Sequence, residues 1–222
     1  MPEAVAFAIE IITLTPLSVG AGGSSGTRAD KSIVRDGLGR PLLPGSQLKG
    51  RLRHAAEALL AGLDRPVPTS FDDDDSPDNL IRQIFGSPMH RSPLRFADLR
   101  CRLDDAALDL DAHPVPGHRL SEIRPSVAIN RRRRTAEDKL LMIQEAAVGG
   151  LRFAADPAIV GQLPALEHAA LLWAALLGTS RWGGAKSRGL GWATLRTTVQ
   201  WAGEPVPELE LAAALRRALG GA

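Results

Sequence analysis

Two strand–helix–strand units, separated by a long insertion with a strongly basic centre, predict an α+β domain with a ferredoxin-like core. Strand-like alternation precedes residue 17 and helical spacing follows residue 46, and the same order returns after residue 150. A hydrophobic share of 44% over 222 residues is typical of a globular chain that buries most of its apolar surface. We therefore predict a single domain, residues 1–222, that carries insertions.

The N-terminal segment Ala4–Leu17 is rich in Ile, Val and Thr and alternates in polarity, which predicts a first strand with one buried face. A loop rich in Gly and Ser follows at residues 20–26. Asp36-Gly37 then lies between two short apolar pieces. Asp-Gly in this context indicates a hairpin turn, because Gly accepts the positive φ that such turns require.

The segment Ser46–Leu63 has apolar residues at helical spacing, which predicts the first helix. Ser46 follows a Pro-Gly pair, and we expect its hydroxyl to cap the helix by accepting from backbone N–H groups of the first turn.

The start of this helix combines features that suit a phosphate chain. Free N–H groups at a helix N-terminus attract phosphate, glycine permits close approach of a nucleic-acid backbone, and basic side chains neutralise it. The residues concerned are Gly45, Ser46, Lys49, Arg51 and Arg53. The alternative interpretation is an ordinary amphipathic helix beside a surface loop.

Residues 64–92 are predicted to form a flexible insertion. Its run Asp72–Asp75 is interpreted as a solvated loop, because consecutive carboxylates repel one another and no calcium-loop spacing is present. A short helix is expected at Asp78–Phe85, and a strand at Ser92–Leu103.

Residues 118–148 are predicted to be a hairpin arm inserted into the domain. Two strand-like segments flank a tip of four consecutive basic residues, Arg131, Arg132, Arg133 and Arg134. Four neighbouring guanidinium groups favour an anionic partner, so we interpret the tip as a contact with nucleic acid. The alternative is a solvated charged loop.

The second unit contains a strand at Gly150–Ala155, a helix at Leu163–Leu177, a strand at Trp192–Trp201 and a final amphipathic helix at Glu208–Leu219.

The loop between that helix and strand is rich in glycine and is expected to be flexible. It carries Arg181, Lys186 and Arg188. The order helix, loop, strand excludes a nucleotide-binding phosphate loop, which runs strand, loop, helix.

The net charge is only +2, but the basic residues collect near residues 49–53, 131–134 and 181–188, which favours a polyanion track. One cysteine excludes an internal disulfide, and the five histidines show no metal-ligand spacing. No apolar run approaches a membrane helix, and no signal peptide is present, so we expect a cytoplasmic protein without membrane contact.

Four segments of the chain together resemble the RAMP superfamily of CRISPR proteins. They are VGAGGSSGTRADKSIVRD, RPLLPGSQLKGRLR, IFGSPMHRSPLRFADLR and LLGTSRWGGAKSRGLGWATLRTT. The resemblance is closer to the repeating backbone subunits of type III effector complexes. It implies a modified ferredoxin-like, RRM-like RAMP fold whose inserted β-hairpin is the thumb.

The resemblance also implies partners. Further copies of the chain, or paralogous backbone subunits, would stack along a guide CRISPR RNA together with other CRISPR effector subunits. Their thumbs would open the duplex between the guide and a target RNA at regular intervals.

In cleaving members of the superfamily, an aspartate in the first long loop supports metal-dependent cleavage of target RNA. Asp30 lies at the matching position, which implies a catalytic and metal-binding role with Mg²⁺ or another divalent cation. Asp36 is the rival position, although a turn role suits it better. The helix residues named above would grip guide phosphates, and Arg181, Lys186 and Arg188 would line the same track.

Two further functions stay open. The chain is a scaffold that binds guide RNA without chemistry, or it is a guide-processing endoribonuclease in which His54 acts as acid or base. No base-reading pattern is present, which suits a protein that leaves sequence choice to the guide.

Overall fold

The computed structural model describes residues 1–22, 29–68, 79–102 and 120–220. Its strands are β1 (Glu3–Thr13), β2 (Leu42–Leu43), β3 (Leu94–Phe96), β4 (Leu99–Arg102), β5 (Ser121–Asn130), β6 (Thr135–Ala147), β7 (Arg152–Leu163), β8 (Ala193–Trp201) and β9 (Glu204–Pro205). Its helices are α1 (Gly45–Ala61), α2 (Leu80–Phe85), α3 (Leu166–Leu177) and α4 (Glu208–Ala218).

The main sheet is antiparallel and has the order β2-β4-β7-β1-β8-β9, with β3 also pairing with β7. The second strand–helix–strand unit thus inserts its first strand, β7, between β4 and β1. This mixed α+β architecture is consistent with the ferredoxin-like core that the sequence predicts.

The core lies between this sheet and the helices. Strand β1 buries every second residue, and Phe7 and Ile11 are completely buried. Ile11 stands opposite Phe153 of β7, so the two central strands share one apolar face. Helix α3 is buried over most of its length against the sheet and its neighbouring helices.

Strand β1 ends at Thr13, earlier than the predicted Leu17. The N–H groups of Leu14 and Thr15 donate to the carbonyl of Trp192, and the chain then leaves the sheet. Leu17 pairs instead with Ala147 at the base of the hairpin arm.

Helix α1 begins at Gly45, and the prediction that Ser46 caps it is wrong. The residue at the cap position is Pro44, and Ser46 lies exposed inside the first turn. Asp98 supplies the cap instead, because its Oδ1 accepts from the Gly45 N–H at 2.8 Å. A Cβ on Gly45 would lie 2.2 Å from the carbonyl oxygen of Phe96, so only glycine permits this close approach.

The segment 64–92 is not a flexible insertion throughout. Helix α2 lies in its second half and places Ile81, Ile84 and Phe85 in the core. The run Asp72–Asp75 lies outside the described residues.

The predicted strand Ser92–Leu103 is interrupted into β3 and β4. The interruption lies at Ala97 and Asp98, where the Ala97 N–H donates to Ala158 and Asp98 turns toward helix α1.

Strands β5 and β6 form a separate two-stranded antiparallel sheet. The turn that joins them spans residues 131–134, which confirms the predicted hairpin with a basic tip. Residues 118 and 119 lie outside the described part. Strand β7 is longer than predicted, and α3 starts correspondingly later, at Leu166. Within the described residues, no helix has the length and apolarity needed to cross a membrane.

Candidate nucleic-acid interface

Asp30 lies against the base of the hairpin arm. Its backbone N–H donates to the Ile143 carbonyl at 2.9 Å, and its Oδ2 accepts from the Ile143 N–H at 2.7 Å. One residue further, the Lys31 carbonyl accepts from the Glu145 N–H at 2.9 Å. The segment that carries Asp30 is therefore fixed to strand β6, while Asp30 itself remains exposed.

Glu145 fastens this segment to the arm. Its carboxylate accepts from the Arg35 guanidinium at 2.7 Å, the Ser121 hydroxyl at 2.7 Å and the Ile33 N–H at 3.1 Å. Burial acts to raise the pKa of Glu145, but these hydrogen bonds and the Arg35 charge outweigh burial and hold the pKa below its ordinary value. We call Glu145, Arg35, Ser121 and the Ile33 N–H the arm-base network.

An open pocket of about 730 Å³ lies beside Asp30, between the first glycine-rich loop, the arm and the second glycine-rich loop. Asp30 is the sole acidic residue among those described that line it. The lining residues are Ser18, Gly20, Gly22, Asp30, Lys31, Ser32, Gln144, Gly184, Ala185 and Arg188.

This pocket does not provide a metal cage of protein ligands. The described residues contain no group of three His, Cys, Asp or Glu side chains that could hold a metal ion. Asp30 offers one carboxylate, and one of its oxygens already accepts a hydrogen bond. The residues therefore fit a divalent ion only as a single ligand, with phosphate and water completing the coordination shell, which is a mode that Mg²⁺ tolerates.

The second glycine-rich loop, residues 183–191, is packed against the chain after β1 rather than being flexible as expected. The Gly184 N–H donates to Ser18 at 2.7 Å, and the Gly191 N–H donates to Pro16 at 2.9 Å. Gly191 has φ +80°, and a Cβ there would lie 1.8 Å from the Trp182 carbonyl oxygen. Trp182 is completely buried, so it is not placed to stack on a base.

Arg51 of helix α1 lies near Arg181 and Lys186, and we call these three residues the basic cluster. Burial lowers the pKa of Arg51, and the nearby Arg181 charge lowers it further. Burial also lowers the pKa of Lys186, followed by the charges of Arg51 and Arg181. An anion bound at this cluster would offset the repulsion between its positive charges.

Two contacts hold Arg181 in place within the basic cluster. The Arg181 guanidinium lies 4.8 Å from the centroid of the Trp192 ring and donates to the Lys186 carbonyl at 3.3 Å. The Arg51 Nε is buried without a hydrogen-bond partner. Within the described residues, none of these three side chains forms an ion pair.

The other basic residues predicted on helix α1 lie elsewhere. Lys49 Nζ lies 5.9 Å from the centroid of the Phe96 ring, and Arg53 forms an ion pair with Glu57 at 2.7 Å. Burial and the Arg53 charge lower the pKa of Lys49. The backbone N–H of Gly45 is occupied by Asp98, so it is not a free phosphate donor.

The arm carries the remaining predicted residues. Residues 131–134 are exposed at its tip, where the Asn130 side chain accepts from the N–H groups of Arg132 and Arg133. Arg188 is also exposed, and it reaches the Ser126 hydroxyl of strand β5 at 3.4 Å. The structure thus places Arg188 beside Asp30 and leaves the tip arginines at the far end of the arm.

Two positions left open by the sequence are now located. The Asp36 carboxylate accepts from the N–H groups of Leu38 and Arg40 and pairs with the Arg40 side chain, which confirms its turn role. His54 is exposed on α1.

Sequence reasoning missed Glu145 and Asp98. A single acid within the apolar stretch 140–148 was the available signal for Glu145, whereas nothing local marks Asp98.

An α+β core with a basic cluster and a projecting basic arm is typical of proteins that bind a polyanion. The family model of the RAMP superfamily matches residues 10–194, so the chain belongs to the RAMP superfamily. Members of this superfamily work in CRISPR complexes with RNA and other subunits, which makes the chain a CRISPR-associated RNA-binding subunit. No curated protein shows significant sequence similarity to the chain.

Proposed function

We propose that the chain is a backbone subunit of a type III CRISPR effector, and that it holds the guide RNA along the basic cluster. The observation that carries this proposal is the convergence of Arg51, Arg181 and Lys186 from two separate elements without an acidic partner among the described residues. A phosphate placed between them relieves their mutual repulsion and the cost of their partial burial.

Helix α1 offers a matched pair of variants to test this. Arg51→Ala removes a guanidinium that has no ion partner in the described chain, whereas Arg53→Ala removes one that Glu57 already neutralises. We expect Arg51→Ala to weaken guide-RNA binding about tenfold and to lower the salt dependence by about one phosphate contact. We expect Arg53→Ala to change binding less than about threefold.

The measurement is a titration of labelled guide RNA with purified chain at several salt concentrations. Equal loss in both variants would show that general charge, not the basic cluster, drives binding. Wild-type affinity and salt slope in Arg51→Ala would place the guide elsewhere.

A second function, cleavage of target RNA at Asp30, is favoured by the position of this side chain in the open pocket at the arm base. In the step proposed here, the RNA 2′-oxygen attacks its adjacent phosphorus in line, and the bond to the 5′-oxygen breaks. The 2′-hydroxyl proton is lost to solvent base, and the 5′-oxygen takes up a proton. A 2′,3′-cyclic phosphate and a 5′-hydroxyl result.

For this step the chain supplies position and charge. The arm-base network fixes the Asp30 segment, and Arg188 and Lys31 line the same pocket and can hold phosphate oxygens. Asp30 would hold a divalent cation, which would neutralise the charge that builds up in the reaction.

The test is cleavage of a guide-complementary RNA by the assembled complex with Mg²⁺. We expect Asp30→Asn to abolish regularly spaced cuts and to leave target binding unchanged. Asp138→Asn, which alters an exposed acid on the arm, is the matched control. Unchanged cuts in Asp30→Asn would make the chain a scaffold and assign the chemistry to another subunit.

A separate assay on the isolated chain tests guide processing. Cleavage of precursor RNA by the isolated chain without metal, lost in His54→Ala, would replace target cleavage with processing as the activity of this chain.

A further inference from the structure

A second basic surface lies on the face of the main sheet that is turned away from the helices. Strand β1 buries its odd-numbered residues against the helices, so its even-numbered residues and their cross-strand partners occupy the opposite, open face. The pairing register places five arginines there, namely Arg95, Arg100, Arg102, Arg152 and Arg196.

The open face has a surplus of positive charge in the described strands. Its acids are Glu10 and Asp156, and Glu10 interacts with Arg152 at 3.3 Å and with Arg196 at 3.8 Å. Arg102 stands directly opposite Arg152 across β4 and β7. Arg95, Arg100 and Arg102 are exposed and form no ion pair with another described residue, so this part of the face attracts an anion.

The centre of the face is made of small side chains. Ala8, Ala154 and Thr198 line a shallow depression of about 320 Å³, whose rim carries Arg102 and Arg196. Small residues allow a ligand to approach the backbone closely. The surrounding guanidinium groups place positive charge at the edge of the depression.

The aromatic side chains of the described sheet strands lie on the face that packs against the helices. Trp201 pairs with Val5 and Phe96 pairs with Ile159, and both partners face the helices. The open face therefore lacks the stacking platform that reads bases and the aromatic anchors typical of protein interfaces. Arginines around a smooth, small-residue surface suit a phosphate backbone, which guanidinium groups bind in a bidentate manner.

We propose that the open sheet face binds the phosphate backbone of single-stranded RNA independently of its base sequence. Strand β8 connects the face to the basic cluster along the chain, because it starts directly after Trp192, on which Arg181 stacks. This site goes beyond the guide track and does not include Asp30.

The test is binding of a labelled 30-nucleotide polyuridine RNA to the full chain at several salt concentrations. The double substitution Arg100→Ala with Arg196→Ala removes charge from both sides of the face. Arg100 lies on β4 and Arg196 on β8, which are three strand spacings, or about 14 Å, apart. We expect about five- to tenfold weaker binding and a salt slope lower by about two. Arg91→Ala with Arg216→Ala, two exposed arginines away from the sheet strands, is the matched control and should bind as wild type.

Two further variants keep the test decisive if the alanine variant does not fold. The double substitution Arg100→Lys with Arg196→Lys keeps the charge and should retain most of the binding. Glu10→Gln removes the carboxylate beside Arg196 and the negative charge it places on the face, and should raise affinity about two- to threefold. Unchanged or weaker RNA binding in Glu10→Gln would overturn the proposal.

The outcomes also separate this proposal from the guide track. Loss in the Arg51→Ala variant with none in the open-face variant would overturn the open-face proposal and keep the guide track. Loss in the open-face variant alone would support this proposal and overturn the guide track. Unchanged RNA binding combined with weaker association to other effector subunits would show that the open face binds an acidic protein, which also overturns the proposal.

Discussion

The main sheet and the hairpin arm are both antiparallel β structure, yet they bury their apolar side chains very differently. In the sheet, Phe7 and Phe153 are completely buried under the helices. In the arm, Ile129 is 58% exposed and Leu141 is 61% exposed. One β region of the chain therefore has its own core, and the other does not.

This difference indicates where stability and assembly reside. A two-stranded hairpin alone is marginally stable in water, because it lacks a second layer to cover its apolar face. The arm is fixed at its base by the arm-base network and by the pairing of Leu17 with Ala147. The arm exposes Ile123, Val127 and Ile129, which suits a surface that is covered in a larger complex.

The largest expected effect is a loss of stability in the main sheet. Phe153→Ala empties a fully buried site between β1 and β4 and should lower the free energy of unfolding by about 3–5 kcal/mol. Ile129→Ala on the arm should change it by less than about 0.5 kcal/mol. Urea unfolding followed by circular dichroism measures both, and equal losses would mean that the arm belongs to the cooperative core.

The next largest effect is expected where the base of the arm is attached to the rest of the domain. Glu145→Gln removes the ion pair with Arg35 and should cost about 1–3 kcal/mol locally. Hydrogen exchange should accelerate in residues 29–35 and 143–147 and stay unchanged in β1. Uniform acceleration would contradict a local role.

The Glu145 carboxylate should make the stability of this attachment depend on pH. Its pKa in the folded state is lower than the ordinary value of 4.5. Its contribution to stability is therefore complete above that value and is lost as the pH falls through the lower, folded-state pKa. Protection factors at residues 29–35, which correct the exchange rate for its intrinsic pH dependence, should fall on acidification in the wild type and much less in Glu145→Gln. A parallel fall in both proteins would assign the pH effect to another group.

A smaller effect on the monomer should accompany a large effect on assembly. Val127→Ser with Leu141→Ser replaces an opposed, exposed apolar pair on the arm. The unfolding midpoint of the isolated chain should shift little, whereas recovery of the assembled effector should fall. Full assembly by this variant would show that the apolar side of the arm is not covered by a partner.

The last prediction needs no substitution and uses the reactivity of a buried thiol to probe the main sheet. Cys101 is completely buried, and burial raises the pKa of its thiol to about 11. A thiol reagent at pH 8 should therefore react with the folded chain far more slowly than with the chain in urea. Equal rates would mean that β4 opens readily.

Local pattern was sufficient to predict the individual elements. The alternation of β1, the helical spacing of α1 and the symmetric flanks of the Arg131–Arg134 tip each depend on neighbours in sequence. The same holds for Asp36, whose turn contacts lie within four residues.

Contacts between distant segments were not predictable in this way. Ser46 satisfies every local rule for a cap, yet Asp98, more than fifty residues away, occupies the Gly45 N–H. The six basic residues predicted on one track separate, because helix geometry turns Arg51 toward Arg181 and leaves Arg53 with Glu57.

The sequence by itself determined the α+β class, the order of elements, the basic arm and the resemblance to the RAMP superfamily, because these are encoded in short-range periodicity and motifs. The tertiary structure alone decided which cations share a surface, where Asp30 is held and which sheet face stays open. The physical reason is that charge interaction and burial depend on distance in space, which strand register and helix packing set only after the chain has folded.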